Sequence, residues 1–310
     1  MSFKGRDFLS LNDFTTEEIY QILDLADELK KKQKNGEEHH ILKGKTLGMI
    51  FEKSSTRTRV SFEVGMYQLG GAALFLSNRD LQIGRGEPIR DTARVLSRYL
   101  DGIMIRTFEP EKVQELADYA DIPIINALTD EEHPCQVLAD LQTIREHKGD
   151  LKGLKMVYIG DGNNMVHSLM HGCAKVGMDI SVATLAGYEP MAKMVEQART
   201  AAEAFGSKVE ITEDILAAAK DADVIYTDVW ASMGQEDEAE KRQKAFKDYQ
   251  VNAAVMAVAK PDAIVLHCLP AHRGEEITEE VLESKNSVIF DEAENRLHAQ
   301  KAVMALVMAD

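Results

Sequence analysis

Behind Thr15 and Glu18, spaced as a capping box, apolar residues recur at helical intervals from Ile19 to Leu29, which predicts a helix over 16–34. The rhythm then shifts to short apolar runs. Thr46-Leu47-Gly48-Met49-Ile50-Phe51-Glu52 predicts a strand over 46–52, and helical spacing over 57–69 stops at Gly70-Gly71. The alternation continues as strand 72–76, helix 89–100, strand 102–106, helix 111–120, strand 123–128 and helix 135–147. It restarts after Gly149-Asp150-Leu151-Lys152-Gly153, the best boundary in the chain, with strand 155–159, helix 165–176, strand 180–185, helix 190–205 and strand 209–211. A short helix near 214–220, strand 223–227, helix 249–259, strands 263–268 and 287–290, and a last helix over 295–308 complete the reading. Strands and helices alternating through short connections predict parallel sheets flanked by helices. The expected fold class is therefore α/β, two doubly wound parallel-sheet domains with an active-site cleft between them, because such sheets bind ligands at the carboxyl ends of their strands. The acidic run Gln235–Glu240 (QEDEAE) reads as a solvated loop after a strand end, with room for a lid.

A length of 310 residues agrees with two domains. Lys+Arg 36 against Asp+Glu 52 gives a net charge of -16, which argues against a nucleic-acid or anionic-membrane partner, since phosphate neutralisation needs a net basic face. An anionic ligand must then be met by a local basic cluster. No apolar run approaches the roughly 18 residues of a membrane span. Met1-Ser2-Phe3-Lys4-Gly5-Arg6-Asp7 lacks the apolar core of a signal peptide. Cys135, Cys173 and Cys268 are odd in number and without a Cys-x-x-Cys spacing, which fits a reducing, cytoplasmic location better than disulfides or structural zinc.

Candidate chemistry lies at the predicted strand ends. Ser54-Ser55-Thr56-Arg57-Thr58-Arg59 opens a helix with hydroxyls and two arginines; free N–H groups, helix dipole and guanidinium forks suit a phosphate. Plain capping is the alternative, weakened because bare cations at a helix N-terminus oppose the dipole. Arg106 ends the next strand, and His133-Pro134-Cys135-Gln136 opens the helix after the following one, where proline is structurally natural. Gln82 sits on a glycine-bearing loop. In the second half, Gly160-Asp161-Gly162-Asn163-Asn164 half resembles a dinucleotide fingerprint. Met165 stands where the third glycine belongs, and strand 180–185 ends without an acid; both speak against NAD. Asn163 and Asn164 are read as polar contacts or as a plain turn. Asp228 at a strand tip suits an ammonium group or a turn cap, and Cys268 is either an inert small hydrophobe or an exposed strand-tip thiol. Leu269-Pro270 invites a constrained, cis-prone turn, and Arg296 opens the last helix.

Ser55-Thr56-Arg57-Thr58-Arg59, His133-Pro134-Cys135-Gln136 and His267-Cys268-Leu269-Pro270, in this order and spacing, resemble the aspartate/ornithine carbamoyltransferase family. Asp228-x-Trp230-x-Ser232-Met233-Gly234 resembles its ornithine-specific members, and the likeness spans essentially the whole chain. The resemblance implies a carbamoyl phosphate-binding domain over 1–150, joined by the C-terminal helix 295–310, and an ornithine-binding domain over 151–294. It implies that Ser55, Thr56, Arg57 and Thr58 cradle the phosphate, that Arg106, His133, Pro134, Cys135 and Gln136 attend the carbamoyl group, and that a neighbouring subunit donates Gln82. Asn163, Asn164, Asp228, Ser232 and Met233 fall to ornithine; Cys268, Leu269 and Arg296 surround the reacting groups. Arg106, His133, Asp228 and Cys268 are the expected catalytic residues. The implied reaction is carbamoyl phosphate plus L-ornithine giving L-citrulline and phosphate, with no cofactor, no metal, and a homo-oligomer built on trimers. The sequence carries no clustered metal-ligand spacing such as His-Glu-x-x-His. The segment from Asp228 to Glu240 contains five acids and no Lys or Arg, which favours a diamino acid over the dianion aspartate. A non-catalytic binding protein for a phosphorylated metabolite, a nicotinamide dehydrogenase, and aspartate or putrescine carbamoyltransferases are the rival readings.

Overall fold

The structure, a computed structural model, describes residues 3–232, 234 and 236–310; Met1, Ser2, Met233 and Gln235 lie outside them. In chain order the elements are α1 (Thr16–Lys34), β1 (Thr46–Phe51), α2 (Thr56–Gln68), β2 (Ala72–Ser77), α3 (Ile89–Leu96), β3 (Gly102–Arg106), α4 (Pro110–Tyr119), β4 (Ile124–Leu128) and α5 (Pro134–Lys148). They continue as β5 (Lys155–Ile159), α6 (Asn164–Val176), β6 (Asp179–Ala183), α7 (Ala192–Glu203), β7 (Val209–Thr212), α8 (Ile215–Ala219), β8 (Val224–Thr227), α9 (Ala239–Ala245), α10 (Ala253–Val258), β9 (Ile264–His267), α11 (Glu279–Leu282) and α12 (Ile289–Met308). The chain divides into two compact units, Met1–Ala139 with Asn295–Asp310, and Asp140–Glu294.

In the first unit the apolar runs pair as a four-stranded parallel sheet in the order β2-β1-β3-β4. The chain steps outward from β1 to β2, then returns to the other side of β1 for β3 and β4. That reversal opens a crevice beyond the carboxyl ends of β1 and β3. One face buries Ile50, Ile103, Ile105 and Ile124 with Ala93, Val113 and Leu116 of α3 and α4. Phe8 bridges to Ile125 on the outer edge of β4, and its ring lies 5.2 Å from Phe14. α12 returns to this unit and packs closely on α2. A Cβ on Gly65 would sit 2.9 Å from Met304 Cε and 3.2 Å from Lys301 Cγ, so this mid-helix glycine lies directly under the side chains of α12.

The second unit carries a five-stranded parallel sheet ordered β7-β6-β5-β8-β9, whose reversal falls between β5 and β8. Its core gathers Val157, Ile159, Ile225 and Val265 with Trp230, Phe246 and Tyr249. Among the described residues no helix is long and apolar enough to cross a membrane.

Three sequence expectations change. The run 287–290 is not a strand: Ser287 makes a single bridge to Val265, and α12 begins at Ile289. Its β-branched residues are buried at a helix start, which Asp291 and Glu292 favour electrostatically. The helix expected over 249–259 starts only at Ala253, because Asn252 Oδ1 caps Ala254 and Val255 N–H while Tyr249 and Val251 are drawn into the core. Within the acidic run, the described part forms a 3-10 turn, Glu236–Glu238, leading into α9.

Candidate active site

Each sheet reversal collects the side chains that the sequence singled out. In the first unit, Ser55 caps α2, its hydroxyl accepting from Thr58 N–H at 3.1 Å. Thr56 is exposed, Ser55 and Arg57 are half-buried, and Thr58 is buried. Arg106, at the tip of β3, and His133, just before α5, are both buried. Pro134 is the first residue of α5. Gln136 is buried and accepts through Oε1 from Arg296 Nη1 at 2.6 Å, and Arg296 Nη2 donates to Thr58 Oγ1 at 3.1 Å. One guanidinium thus joins three segments far apart in sequence. Cys135 is buried and its thiol donates to Asn126 O at 3.4 Å; burial pushes it up to about 12. Gln82 is exposed ahead of the 3-10 turn Ile83–Arg85 and makes no side-chain capping bond. Arg59 stacks on the Phe75 ring at 3.8 Å and pairs with Glu63 at 3.4 Å.

This cluster is electropositive, and Thr58, Arg106, His133, Gln136 and Arg296 are buried in it. Burial, then Arg296, Arg106, Arg57 and Lys53, hold the His133 imidazole well below its ordinary value, so it is neutral and able to donate one N–H. Sequence reading missed Lys53. It is buried against the Phe108 ring at 4.2 Å and paired with Asp130, whereas a lysine after a strand reads as surface charge.

In the second unit, Asn163 caps α6, its Oδ1 accepting from Met165 and Val166 N–H at 3.0 and 3.3 Å. Its Nδ2 donates to Asp228 Oδ2 at 2.8 Å. Asp228 is buried; its Oδ1 accepts from Val229 N–H at 2.8 Å and from the half-buried Cys268 thiol at 3.0 Å. Burial and then Asp228 push that thiol well up, so it stays protonated. The tips of β5, β8 and β9 are thereby joined. Asn164 and Ser232 are half-buried nearby in sequence, and Met233 lies outside the described residues. Leu269 stands at φ 58 before a cis Leu269-Pro270 bond. A Cβ on Gly162 would meet backbone of residues 188–190 at 2.4 Å, so this glycine serves close packing.

Donor atoms of Asp228, His267 and Cys268 lie within 4.8 Å of one another, a grouping the sequence spacing did not suggest. Hydrogen bonds account for it. His267 Nδ1 accepts from Leu269 N–H at 2.9 Å, its Nε2 meets Glu276 Oε1 at 2.9 Å, and Cys268 donates to Asp228. Sequence reading also missed Arg242, which is buried, binds Asp161 Oδ2 at 2.7 Å and donates to Trp230 O at 3.1 Å. Burial nonetheless raises the Asp161 carboxyl to about 6.

The family model for the carbamoyl-P binding domain of aspartate/ornithine carbamoyltransferase matches residues 6–146, and that for the Asp/Orn binding domain matches residues 152–307. The chain is 63% identical to ornithine carbamoyltransferase of Oceanobacillus iheyensis, covering 99% of this chain and 95% of that protein. It is 61% identical to ornithine carbamoyltransferase of Carboxydothermus hydrogenoformans, over 99% of each. A solved structure of the ornithine carbamoyltransferase from Pyrococcus furiosus matches with a TM-score of 0.97 at 58% identity, covering 99% of this chain and 98% of that one.

Proposed function

This chain belongs to the aspartate/ornithine carbamoyltransferase family, and from that premise we propose that it transfers the carbamoyl group of carbamoyl phosphate to the side-chain amine of L-ornithine, giving L-citrulline and phosphate. The observation that carries the reading is the buried Arg296 guanidinium held between Thr58 and Gln136, beside a capped helix N-terminus. Residues 1–150 with 295–310 bind carbamoyl phosphate and residues 151–294 bind ornithine. Ser55, Thr56, Arg57 and Thr58 take the phosphoryl oxygens through N–H groups, hydroxyls and charge. Arg106, Arg296 and neutral His133 stabilise the charge that grows on the carbonyl oxygen as the amine attacks. His133, Pro134, Cys135 and Gln136 frame the carbamoyl group, and the Leu269 carbonyl accepts from its amide.

Deprotonating a free alkylamine at neutral pH costs about 4–5 kcal/mol, the obstacle that the site must lower. A buried electropositive site favours the neutral amine. Asp228 and Ser232 hold the α-ammonium, Asn163 and Asn164 address the α-carboxylate, and Met233 borders the ligand. Cys268 accepts a hydrogen bond from the attacking amine. The new C–N bond forms at the carbonyl carbon, the C–O bond to phosphate breaks, and the amine proton leaves with the phosphate.

We further propose a cytoplasmic homo-oligomer built on trimers, each site completed by Gln82 of a neighbouring copy. Supporting this are three free cysteines and an apolar surface on β2 and α2, where Leu74, Phe75, Val60 and Tyr67 are exposed, Tyr67 by 79%. A colorimetric ureido-product assay across ornithine, putrescine, aspartate and N-acetylornithine tests the reading. Ornithine is expected to lead by orders of magnitude in kcat/KM, since putrescine leaves the α-group contacts unpaired. Equal use of putrescine or aspartate overturns the substrate assignment; product from none of them overturns the reaction.

A further inference from the structure

We propose that Gln300 is a positioning residue for the carbamoyl phosphate site, fixing the Arg296 guanidinium from behind and tying it to the first turn of α2; the proposal rests on the function proposed for that site. Gln300 lies one helical turn beyond Arg296 on α12, so the two share a face. Gln300 is fully buried, and Arg296, Thr58 and Gln136 are nearly so. Arg296 Nε donates to Gln300 Oε1 at 3.0 Å, while the two Nη atoms reach Gln136 and Thr58. A guanidinium is planar, so holding Nε and both Nη atoms fixes the plane and not merely the charge.

The other end of the amide is equally specified. Gln300 Nε2 donates to Ser61 Oγ at 2.7 Å, and the Ser61 hydroxyl lies 2.7 Å from Arg57 O and 3.2 Å from Thr58 O. Those carbonyls can only accept, so the hydroxyl proton goes to them and the Ser61 oxygen must accept from Gln300. Arginine can only donate, so Gln300 must turn its oxygen to Arg296. Both ends select the same amide orientation, and a buried site strengthens that selection. The relay therefore runs from the backbone of Arg57 and Thr58, through Ser61 and Gln300, to the guanidinium beside the ligand. A neutral amide also orients Arg296 without cancelling its charge, which a carboxylate at this position would do.

Gln300→Glu keeps an acceptor for Arg296 Nε but adds a negative charge; Gln300→Leu removes the acceptor; Ser61→Ala cuts the relay while leaving Gln300 and Arg296 in place. Calorimetric binding of carbamoyl phosphate, with inorganic phosphate as a stable second probe, is measured beside melting temperature and KM for each substrate. Gln300→Glu is expected to weaken carbamoyl phosphate binding about tenfold or more, with its melting temperature and its KM for ornithine close to the parent's. Gln300→Leu moves the same way, and Ser61→Ala shows a smaller loss in the same parameter. Should the Gln300 variants fail to fold, Ser61→Ala decides by the same split. A lowered melting temperature with carbamoyl phosphate binding unchanged makes Gln300 a packing residue and overturns the proposal. A parent enzyme that binds no carbamoyl phosphate brings down the site reading itself, and the proposal with it.

Discussion

The Cys268 thiol donates its proton to Asp228 Oδ1 across 3.0 Å, which keeps the sulfur a protonated thiol rather than a thiolate. Cys268→Ser keeps a donor to Asp228 and is expected to retain weak activity, lower by roughly 10²–10³, in the range of other single site groups. Alkylation by iodoacetamide should be slow at neutral pH and still accelerating above pH 9, with carbamoyl phosphate plus an ornithine analogue protecting. Trapping a carbamoylated Cys268 as an obligatory intermediate would refute direct attack by the amine.

Arg57 is half-buried in the first turn of α2. Arg57→Ala removes a charge-assisted fork worth about 1.5–3 kcal/mol, or roughly ten- to a hundredfold in kcat/KM for carbamoyl phosphate. The variant's melting temperature is measured beside its kinetics, so that a loss of fold is told apart from a loss of ligand contact. Kinetics close to wild type in a folded variant would remove Arg57 from the cradle.

Burial and four neighbouring cations keep His133 neutral at working pH. His133→Gln should therefore lower kcat by roughly 10²–10³ without changing the shape of the rate profile between about pH 6 and 8. A limb near pH 6.5 present in the parent and lost in the variant contradicts a neutral donor. The same depression bears on stability. Below pH 6.5 the unfolded chain takes up a proton that the folded His133 refuses, so this contribution to stability is lost as acidity rises.

Lys301 is fully buried, its ammonium held by Gln68 Oε1 at 2.8 Å and His39 Nε2 at 3.1 Å, and burial lowers it to about 8. Below that value a charged lysine is buried at full cost; above 10.5 it is neutral in both states and the cost vanishes. Relative to Lys301→Met, the parent should thus gain up to about 3 kcal/mol between pH 7 and 10.5. Denaturation midpoints of the pair across that range measure it. A gap that does not move with pH contradicts a titrating Lys301.

The α/β alternation was legible because fully buried parallel strands leave short apolar runs, as at Gly102–Arg106 and Ile124–Leu128. The candidate residues were legible for a related reason: a doubly wound sheet gathers the residues at the carboxyl ends of its central strands, which here means Ser55, Arg106, Asn163 and Asp228. Lys53, Arg242 and Lys301 were not, because they stand in no motif at a helix start or strand tip of the kind that marked Arg57, Arg106 and Arg296; a lysine or arginine without such a setting reads as solvated, and only the tertiary partners show that these three are buried. The apolar run 287–290 misled for the opposite reason. β-branched residues state that a segment is buried, and leave helix or strand to its partners.

The return of α12 to the first unit sets the order in which the protein can mature on the ribosome. Residues 1–139 emerge first but lack Asn295–Asp310, which complete their unit. Synthesis at roughly 5–20 residues per second then spends many seconds on Asp140–Glu294, a contiguous stretch able to close its own sheet. Throughout that interval the groove along α2, floored by Gly65, lies open, and Thr58 and Gln136 wait for a guanidinium not yet made. The first unit is therefore completed only by the last residues to be made, and the guanidinium that joins Thr58 to Gln136 is among them.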